Sequence, residues 1–399
     1  MGDVRAYKFR LYPNKQQRGQ MQTHLYLSKN LWNDGLELAK QLYQDYQKFP
    51  TRSTYQEISK NSGLSSQVAQ DVFIRLDLAL KAKIRRKKTG LKGGFPRFKS
   101  INRVKSLHYL QFGFSLNTGK KKLKVSPFGE INIKLHRSVE GTIKTLTLKR
   151  ESSGKWYAIF TVEAETNPIQ NNSGSQVGLD LGLINFAVLS DGTTVKNPRH
   201  LRKYEDILKK KQQDLSFKKK GGKNRIKAKR KLAILHERVR NTRKDFLHKL
   251  SRQLVHSHSL IALEDLASQE MAEKRFGKSI NDVGWSIFTN ILSYKAEEAG
   301  CEVLFVNPKN TSKDCSRCGV EVSKELHERQ HNCPSCGLSI DRDLNAAINI
   351  LNRCLKAKLS DRQETKFPGA TAGIAGSNAC EDGIKVSSVK QEAHAFMRG

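Results

Sequence analysis

No stretch of about eighteen consecutive apolar residues, the minimum for a helix that spans a bilayer, occurs in the sequence. The first residues, MGDVRAYKFRLYP, lack the apolar core of a secretory signal. A soluble intracellular protein with no membrane partner is therefore expected. Acid is in short supply: 38 Asp and Glu face 72 Lys and Arg, for a formal net charge of +34 and a pI near 10.0. So basic a chain repels itself unless a polyanion screens it, and nucleic acid is the expected screen. On charge alone, a ribosomal or other structural RNA-binding role stands level with catalysis. A disulfide framework is lacking too. Four of the seven cysteines form two Cys-x-x-Cys pairs in a chain without an export signal, so thiolates on a metal are the better reading. Cys301, Cys354 and Cys380 are read as ordinary thiols. At 399 residues, two or three compact units are expected.

Residues 4–12, VRAYKFRLY, approximate a two-residue period, which predicts a strand with one basic face carrying Lys8 and Arg10. Pro13 and Asn14 end it. Helix is predicted over 15–49, with Leu27, Leu31, Gly35 and Leu38 on one face, and over 66–87, where Val68, Val72, Leu76, Leu80 and Ile84 recur every fourth position. The second helix runs into KAKIRRKKTGLKGGFPRFKS. There Arg85, Arg86, Lys87, Arg97 and Lys99 can neutralise phosphates, while Phe95 and Phe98 can stack on bases. From 106 to 162 the texture changes to short runs rich in β-formers separated by turn signals, which predicts a small barrel or twisted sheet that the first strand completes across the helical insertion.

The polar stretch 166–176 is predicted to be a linker, with a domain boundary near Asn171. VGLDLGLINFAVLSDGTTV then gives a buried strand and a hairpin turning at Asp191–Gly192. Two long basic helices follow over 200–255, broken by KKKGGK. The second carries an apolar stripe of Leu232, Leu235, Val239, Phe246 and Leu250, with Arg238, Arg240, Arg243 and Lys244 opposite, as a solvated face or the lining of a nucleic-acid channel. SLIALEDL and CEVLFVNP are buried strands around a helix at 285–299, and a mobile tail is predicted after Cys354.

Cys315, Cys318, Cys333 and Cys336, with fourteen residues between the pairs, fit a closed tetrahedral site for one structural Zn²⁺. His327 and His331 lie in the loop, but four thiolates already complete the coordination. Three acids stand where apolar elements end. Asp180 sits within VGLDLG, Glu264 ends LIALE, and Asp343 opens a helix whose Leu344, Ala347, Ile348 and Leu351 face a core. A carboxylate among apolar neighbours is costly unless a cation compensates it. Gathered together, the three could bind two Mg²⁺, one activating water and one stabilising the leaving oxygen of a phosphodiester, as in a ribonuclease-H-like nuclease. Asp341 is the expected N-cap of the last helix. Asp265 competes with Glu264, but alternation sends the two to opposite faces.

With GLDLG, ALEDL, the paired Cys-x-x-Cys motifs and DRDLNAAINI in this order, together with VRAYKFRLYPN, GFPRF and RVRNTRKDFLHKLS, the chain resembles the TnpB family over roughly residues 4–352. These are transposon-associated RNA-guided nucleases similar to compact type V CRISPR effectors. The resemblance implies an α/β multidomain fold. A β-barrel wedge domain (1–14 and 104–170) would carry an inserted helical recognition domain (15–103). A RuvC domain of ribonuclease-H fold (171–308 and 338–356) would carry a zinc-ribbon target-nucleic-acid-binding insertion (309–337), followed by a disordered tail (357–399). It makes Asp180, Glu264 and Asp343 the catalytic acids. It also implies a guide RNA from the transposon end, double-stranded target DNA read beside a short motif, and a monomeric ribonucleoprotein in a prokaryotic cytoplasm, near the nucleoid. An RNA-guided DNA-binding repressor without nuclease activity, or a strand-joining transposase, are the alternatives; the first is expected to lose acids that this chain keeps.

Overall fold

The computed structural model describes residues 3–164, 174–266, 282–325 and 327–364, with side chains described from Val4 and as far as Leu359 in the last helix. The predicted linker and the boundary near Asn171 fall almost wholly outside these residues, as do Cys380 and the chain beyond 364. Two compact units result, 1–166 and 167–399. Among the described residues, no helix is long and apolar enough to cross a membrane.

In the first unit, β1 (Asp3–Tyr12) lies in a seven-stranded sheet with β2 (Ser106–Tyr109), β3 (Phe114–Asn117), β4 (Lys122–Val125), β5 (Gly129–Lys134), β6 (Thr142–Arg150) and β7 (Trp156–Ala164). The order is β2-β6-β7-β1-β5-β4-β3, with every neighbouring pair antiparallel. The sheet is a nearly closed barrel. Tyr109 of β2 and Phe114 of β3, from its two ends, meet edge to face, and Phe114 also reaches Phe160 of β7. Along β1, Tyr7, Phe9 and Leu11 point into this core and Lys8 and Arg10 point out, the basic face that its period predicts.

Between β1 and β2 come α1 (Lys15–Tyr46), α2 (Arg52–Lys60) and α3 (Ser66–Lys88). A capping box of Asn14 and Gln17 starts α1. The buried stripe of α1 runs through Met21, Leu25, Leu31, Trp32, Leu36 and Ala39, shifted from the predicted face. Met21 and Leu25 join the barrel core, while Leu31, Trp32, Leu36 and Ala39 pack on Val72, Phe73, Leu76 and Leu80 of α3, of which all but Phe73 belong to the predicted stripe; Ile84, the last member predicted there, is exposed. Helix α2, capped by Thr51, is not legible beforehand because it buries only Tyr55.

The second unit is built on a five-stranded sheet of β8 (Gln176–Leu181), β9 (Asn185–Leu189), β10 (Thr194–Lys196), β11 (Leu260–Glu264) and β12 (Glu302–Val306), in the order β10-β9-β8-β11-β12. β8, β9 and β10 form an antiparallel meander; β11 runs parallel to both β8 and β12. The Asp191–Gly192 turn joins β9 to β10, and a separate reversal after Leu181 divides the apolar run into β8 and β9. α4 (Glu205–Ser216) leads into α5 (Lys223–Ser257). α5 and α6 (Trp285–Ala299) cover one face of the sheet, where Leu247, Leu254, Phe288 and Leu292 meet Val177, Leu179, Ile261 and Leu263.

The other face belongs to α7 (Arg342–Glu364), whose Ile350 and Cys354 pack on Leu260 and Ala262. α7 continues through residues 357–364, where a tail is predicted, because KAKLSDRQ is rich in helix formers although it carries no apolar stripe. Before it, β13 (Gln330–Asn332) and β14 (Ser339–Asp341) form a small hairpin that extends past the boundary predicted at residue 337.

Candidate metal and nucleic-acid sites

Alternation along β8 sends Val177, Leu179 and Leu181 to the α5–α6 side, so Gly178 and Asp180 belong to the α7 side. On β11 the same rule separates Ile261 and Leu263 from Leu260, Ala262 and Glu264. The parallel register pairs Leu260 with Gln176 through to Leu263 with Leu179, so Glu264 comes level with Asp180 one step further on. Asp265 falls on the exposed side.

Gly178 brings the third acid in. A methyl carbon there would overlap the Ala347 carbonyl oxygen and stand 2.8 Å from the Leu351 nitrogen, so α7 lies with its backbone directly on the strand. Asp343 is one helical turn before Ala347, towards the Asp180 end of β8.

Electrostatics link the three. Asp180 keeps part of its surface open, yet burial pushes its carboxyl up to about 8, with the negative charges of Glu264 and then Asp343 adding to the rise. Glu264 is also raised by burial, opposed by the donated hydroxyl of Thr311 and by Arg353. Arg342 reaches Asp343 at 3.3 Å and Arg329 at 3.6 Å. The Asp341 side chain accepts from the Asp343 and Leu344 amides at 2.9 and 3.1 Å, the predicted N-cap. The charges of Glu264 and Asp343 thus act on Asp180, but among the described residues the ligand atoms that come within 4.8 Å of one another in a group of three or more are those of the four cysteines.

The four cysteines converge. Their sulfurs all lie within 4.8 Å of one another, with Cys315–Cys336 and Cys318–Cys333 at 3.5 Å. That is far beyond a disulfide bond of about 2.05 Å and near the ~3.8 Å edge of a tetrahedron with metal–sulfur bonds of about 2.3 Å. Both knuckles are built alike. The amides of Cys315 and Cys333 donate to the Val320 and Leu338 carbonyls, and those of Gly319 and Gly337 return to the carbonyls of Cys315 and Cys333, both glycines in the left-handed region. Among the described residues, this cluster can hold a metal ion without either histidine. His327 is exposed, and His331 is buried against Lys324.

The predicted nucleic-acid contacts separate. Lys8 and Arg10 lie over Tyr157, and Arg10 also over the exposed Tyr12, a face of cations and rings; Lys8 pairs with Glu151 at 3.2 Å and Arg10 donates to the Trp156 carbonyl at 2.7 Å. Arg85, Arg86, Lys87 and Arg97 are exposed, and Arg240 is half-buried. Lys99 instead folds onto Trp32, 3.0 Å from the ring centre, and burial lowers it to about 7. Phe95 does not stand free for a base. It closes a cage with Tyr43 around the buried Lys83, at 4.0 and 3.9 Å.

Arg243 corrects its assignment. It is buried and pairs with Asp282 at 3.1 Å. At i+4 from Val239 and i−4 from Leu247 it belongs to the inward stripe of α5, so its charge goes to Asp282 and not to a polyanion. Asp282 also accepts from the Leu201 amide at 2.9 Å. Thr311, Asn345, Asn349 and Gly178 are what sequence reasoning misses; Asn345 lies within the motif DRDLNAAINI and Gly178 within GLDLG, which are the signals available.

Three family models match: "Probable transposase" over residues 159–275, "Cas12f1-like, TNB domain" over 285–350 and "Helix-turn-helix domain" over 1–48. A protein of Streptomyces pristinaespiralis, provisionally named an RNA-guided DNA endonuclease, is 30% identical and covers 99% of this chain and 98% of its own. The similarly named InsQ of Escherichia coli (strain K12) is 31% identical over 88% of this chain and 92% of its own. Among solved structures, the Cas12f1 chain of a complex with sgRNA and target DNA superposes with a TM-score of 0.59 at 14% identity, covering 88% of this chain and 99% of that one.

Proposed function

The chain belongs to the TnpB (IS605 OrfB) family, and from that premise we propose that it is an RNA-guided DNA endonuclease of a transposable element. It cuts guide-complementary DNA beside a short motif. The second unit acts as a RuvC nuclease of ribonuclease-H type, in keeping with its three antiparallel and two parallel strands. One observation carries this reading: Asp180 and Glu264 end neighbouring parallel strands on the face closed by the helix that bears Asp343.

Two Mg²⁺, when bound by Asp180, Glu264 and Asp343, would supply an activated water and a stabilised leaving oxygen. The chain's own residues do the rest. The strands hold Asp180 and Glu264 side by side, and Thr311 ties down one Glu264 oxygen and leaves the other for a metal. Arg342 and Arg329 flank Asp343, where they can meet a phosphate. The cysteine hairpin holds one structural Zn²⁺, the ion suited to four thiolates in a closed tetrahedron.

The partners are a guide RNA from the transposon end and double-stranded target DNA, in a monomeric ribonucleoprotein of the prokaryotic cytoplasm, near the nucleoid. Guide pairing reads the sequence, and the protein holds the heteroduplex by its backbone. Lys8, Arg10, Arg85, Arg86, Lys87, Arg97, Lys99 and Arg240 are the proposed contacts.

A plasmid-cleavage assay with the co-purified RNA tests the proposal. Cutting should require Mg²⁺ and disappear in Asp180→Ala, Glu264→Ala and Asp343→Ala, while binding to guide-matched DNA survives; Asp341→Ala should retain substantial cutting. Binding without cutting by the unaltered protein would mean a repressor, and strand joining a transposase.

A further inference from the structure

We infer that Thr311 is a positioning residue that ties Glu264 to the cysteine hairpin, so that the ion held by the four cysteines governs how tightly the carboxylate cluster binds divalent metal. This rests on the proposed metal-binding role of Asp180, Glu264 and Asp343.

The link can be followed bond by bond. Thr311 is 2% exposed and lies between β12 and the first cysteine knuckle. Its hydroxyl faces Glu264 Oε1 and, at 3.1 Å, the Pro308 carbonyl. It has a single proton, and the bond to the charged carboxylate is the stronger of the two. Glu264 is a buried strand-end side chain with several rotatable bonds, so one oxygen held this way sets the direction of the other.

Thr311 is itself held. Its carbonyl accepts from Asn349 Nδ2 at 2.9 Å, and the same amide reaches the Asp314 carbonyl at 2.7 Å. One turn earlier on α7, Asn345 donates to the Asp314 carbonyl at 2.8 Å and accepts from the Ser316 amide at 3.0 Å. Asp314 and Ser316 flank Cys315. Both asparagines are buried, and their bonds exist only while the chain around Cys315 keeps its turn. The ion that fixes Cys315 thus fixes the carbonyls that Asn345 and Asn349 grip, and through Thr311 the Glu264 carboxylate. The asparagines share a helix with Asp343, so knuckle, Glu264 and Asp343 are set by one element.

The full chain with its co-purified RNA serves for the test, with Mn²⁺ as the probe, its binding followed by electron paramagnetic resonance and the cysteine-held ion counted by elemental analysis. Thr311→Val removes the hydroxyl at constant shape and should weaken Mn²⁺ binding about tenfold, the usual scale for a residue that orients a ligand, with the cysteine-held ion unchanged. Thr311→Ser should bind within about twofold of the parent. Cys315→Ser should weaken Mn²⁺ binding similarly, and Thr311→Val added to it should weaken it no further, since both act along one path. If Thr311→Val does not fold, Thr311→Ala takes its place. Parent-like Mn²⁺ binding in the valine or alanine variant, or fully additive losses, overturns the inference. A parent whose Mn²⁺ binding is indifferent to Glu264→Ala and Asp180→Ala refutes instead the metal site on which the inference rests.

Discussion

Replacing Gly178 by alanine tests whether strand β8 seats the last helix and, with it, Asp343. The added methyl carbon would overlap the Ala347 carbonyl oxygen and stand 2.8 Å from the Leu351 nitrogen and 3.0 Å from Leu351 Cβ. Ordinary contacts begin at about 3.5 Å, so α7 must retreat by about 0.7 Å at the Leu351 nitrogen and by more at Ala347. Two of the obstructing atoms are helix backbone, which no rotamer change can move aside. Asp343 lies one turn from Ala347 and shares the displacement. Overpacking of this kind costs about 1–3 kcal/mol, or roughly 2–12 °C in the melting temperature of a unit of this size. For cutting, a misplacement near 1 Å costs about a hundredfold in rate, some 2.7 kcal/mol of barrier. Single-turnover cutting of guide-matched plasmid at saturating Mg²⁺, beside thermal unfolding, measures both. Hundredfold slower cutting with DNA binding intact is expected. A variant that cuts within about threefold of the parent and melts at the same temperature would refute the seating of α7 on Gly178.

The Asp180 carboxyl, pushed up to about 8 from an ordinary 3.8, gives a pH signature. Between those values the folded, magnesium-free protein keeps a proton that the unfolded chain has released, so its stability falls as pH rises through the window. Mg²⁺ must displace that proton, so apparent affinity should rise about tenfold per pH unit and level off above about 8; calorimetric titration across the range checks this, and a flat profile would remove Asp180 from the site. Changing Cys315 and Cys333 to serine should release zinc, and unchanged zinc content by elemental analysis would sink the four-thiolate assignment. Arg243→Ala strands the buried Asp282 and should cost about 3–5 kcal/mol, seen as a lower melting temperature, while the salt dependence of RNA binding at low temperature stays that of the parent. A shallower salt slope would return Arg243 to the nucleic-acid face.

Short-range patterns are what the sequence made legible. The two-residue period of β1, the four-residue recurrence of Val68, Val72, Leu76 and Leu80, the Cys-x-x-Cys knuckles and the Asp341 cap each depend on neighbours within a turn or two. Alternation separates Glu264 from Asp265 for the same reason. What needs the assembled molecule stayed hidden. Thr311 meets Glu264 across separate elements, and Asn349 meets Asp314 from a later helix. Arg243 looks like one cation in a basic run until its spacing from Val239 and Leu247 is set against the sheet that α5 covers. Phe95 looks like a ring free to stack until Tyr43 and Lys83, from two helices, close around it. Helix α2 escapes notice because a polar segment with one buried ring has no periodic face to show.

The packing of α7 on β8 also carries a consequence for the order of synthesis. A chain emerging from the ribosome N-terminus first makes β8 and β11 long before the helix that covers them. Until residues 342–359 arrive, the side of the sheet with Gly178, Leu260 and Ala262 has no lid, and Asp180 and Glu264 wait beside each other without Asp343. On the proposed roles of the three acids, the metal site is therefore completed only when α7 has been made. A chain broken before that point leaves the face with Leu260 and Ala262 uncovered, which favours aggregation and proteolysis.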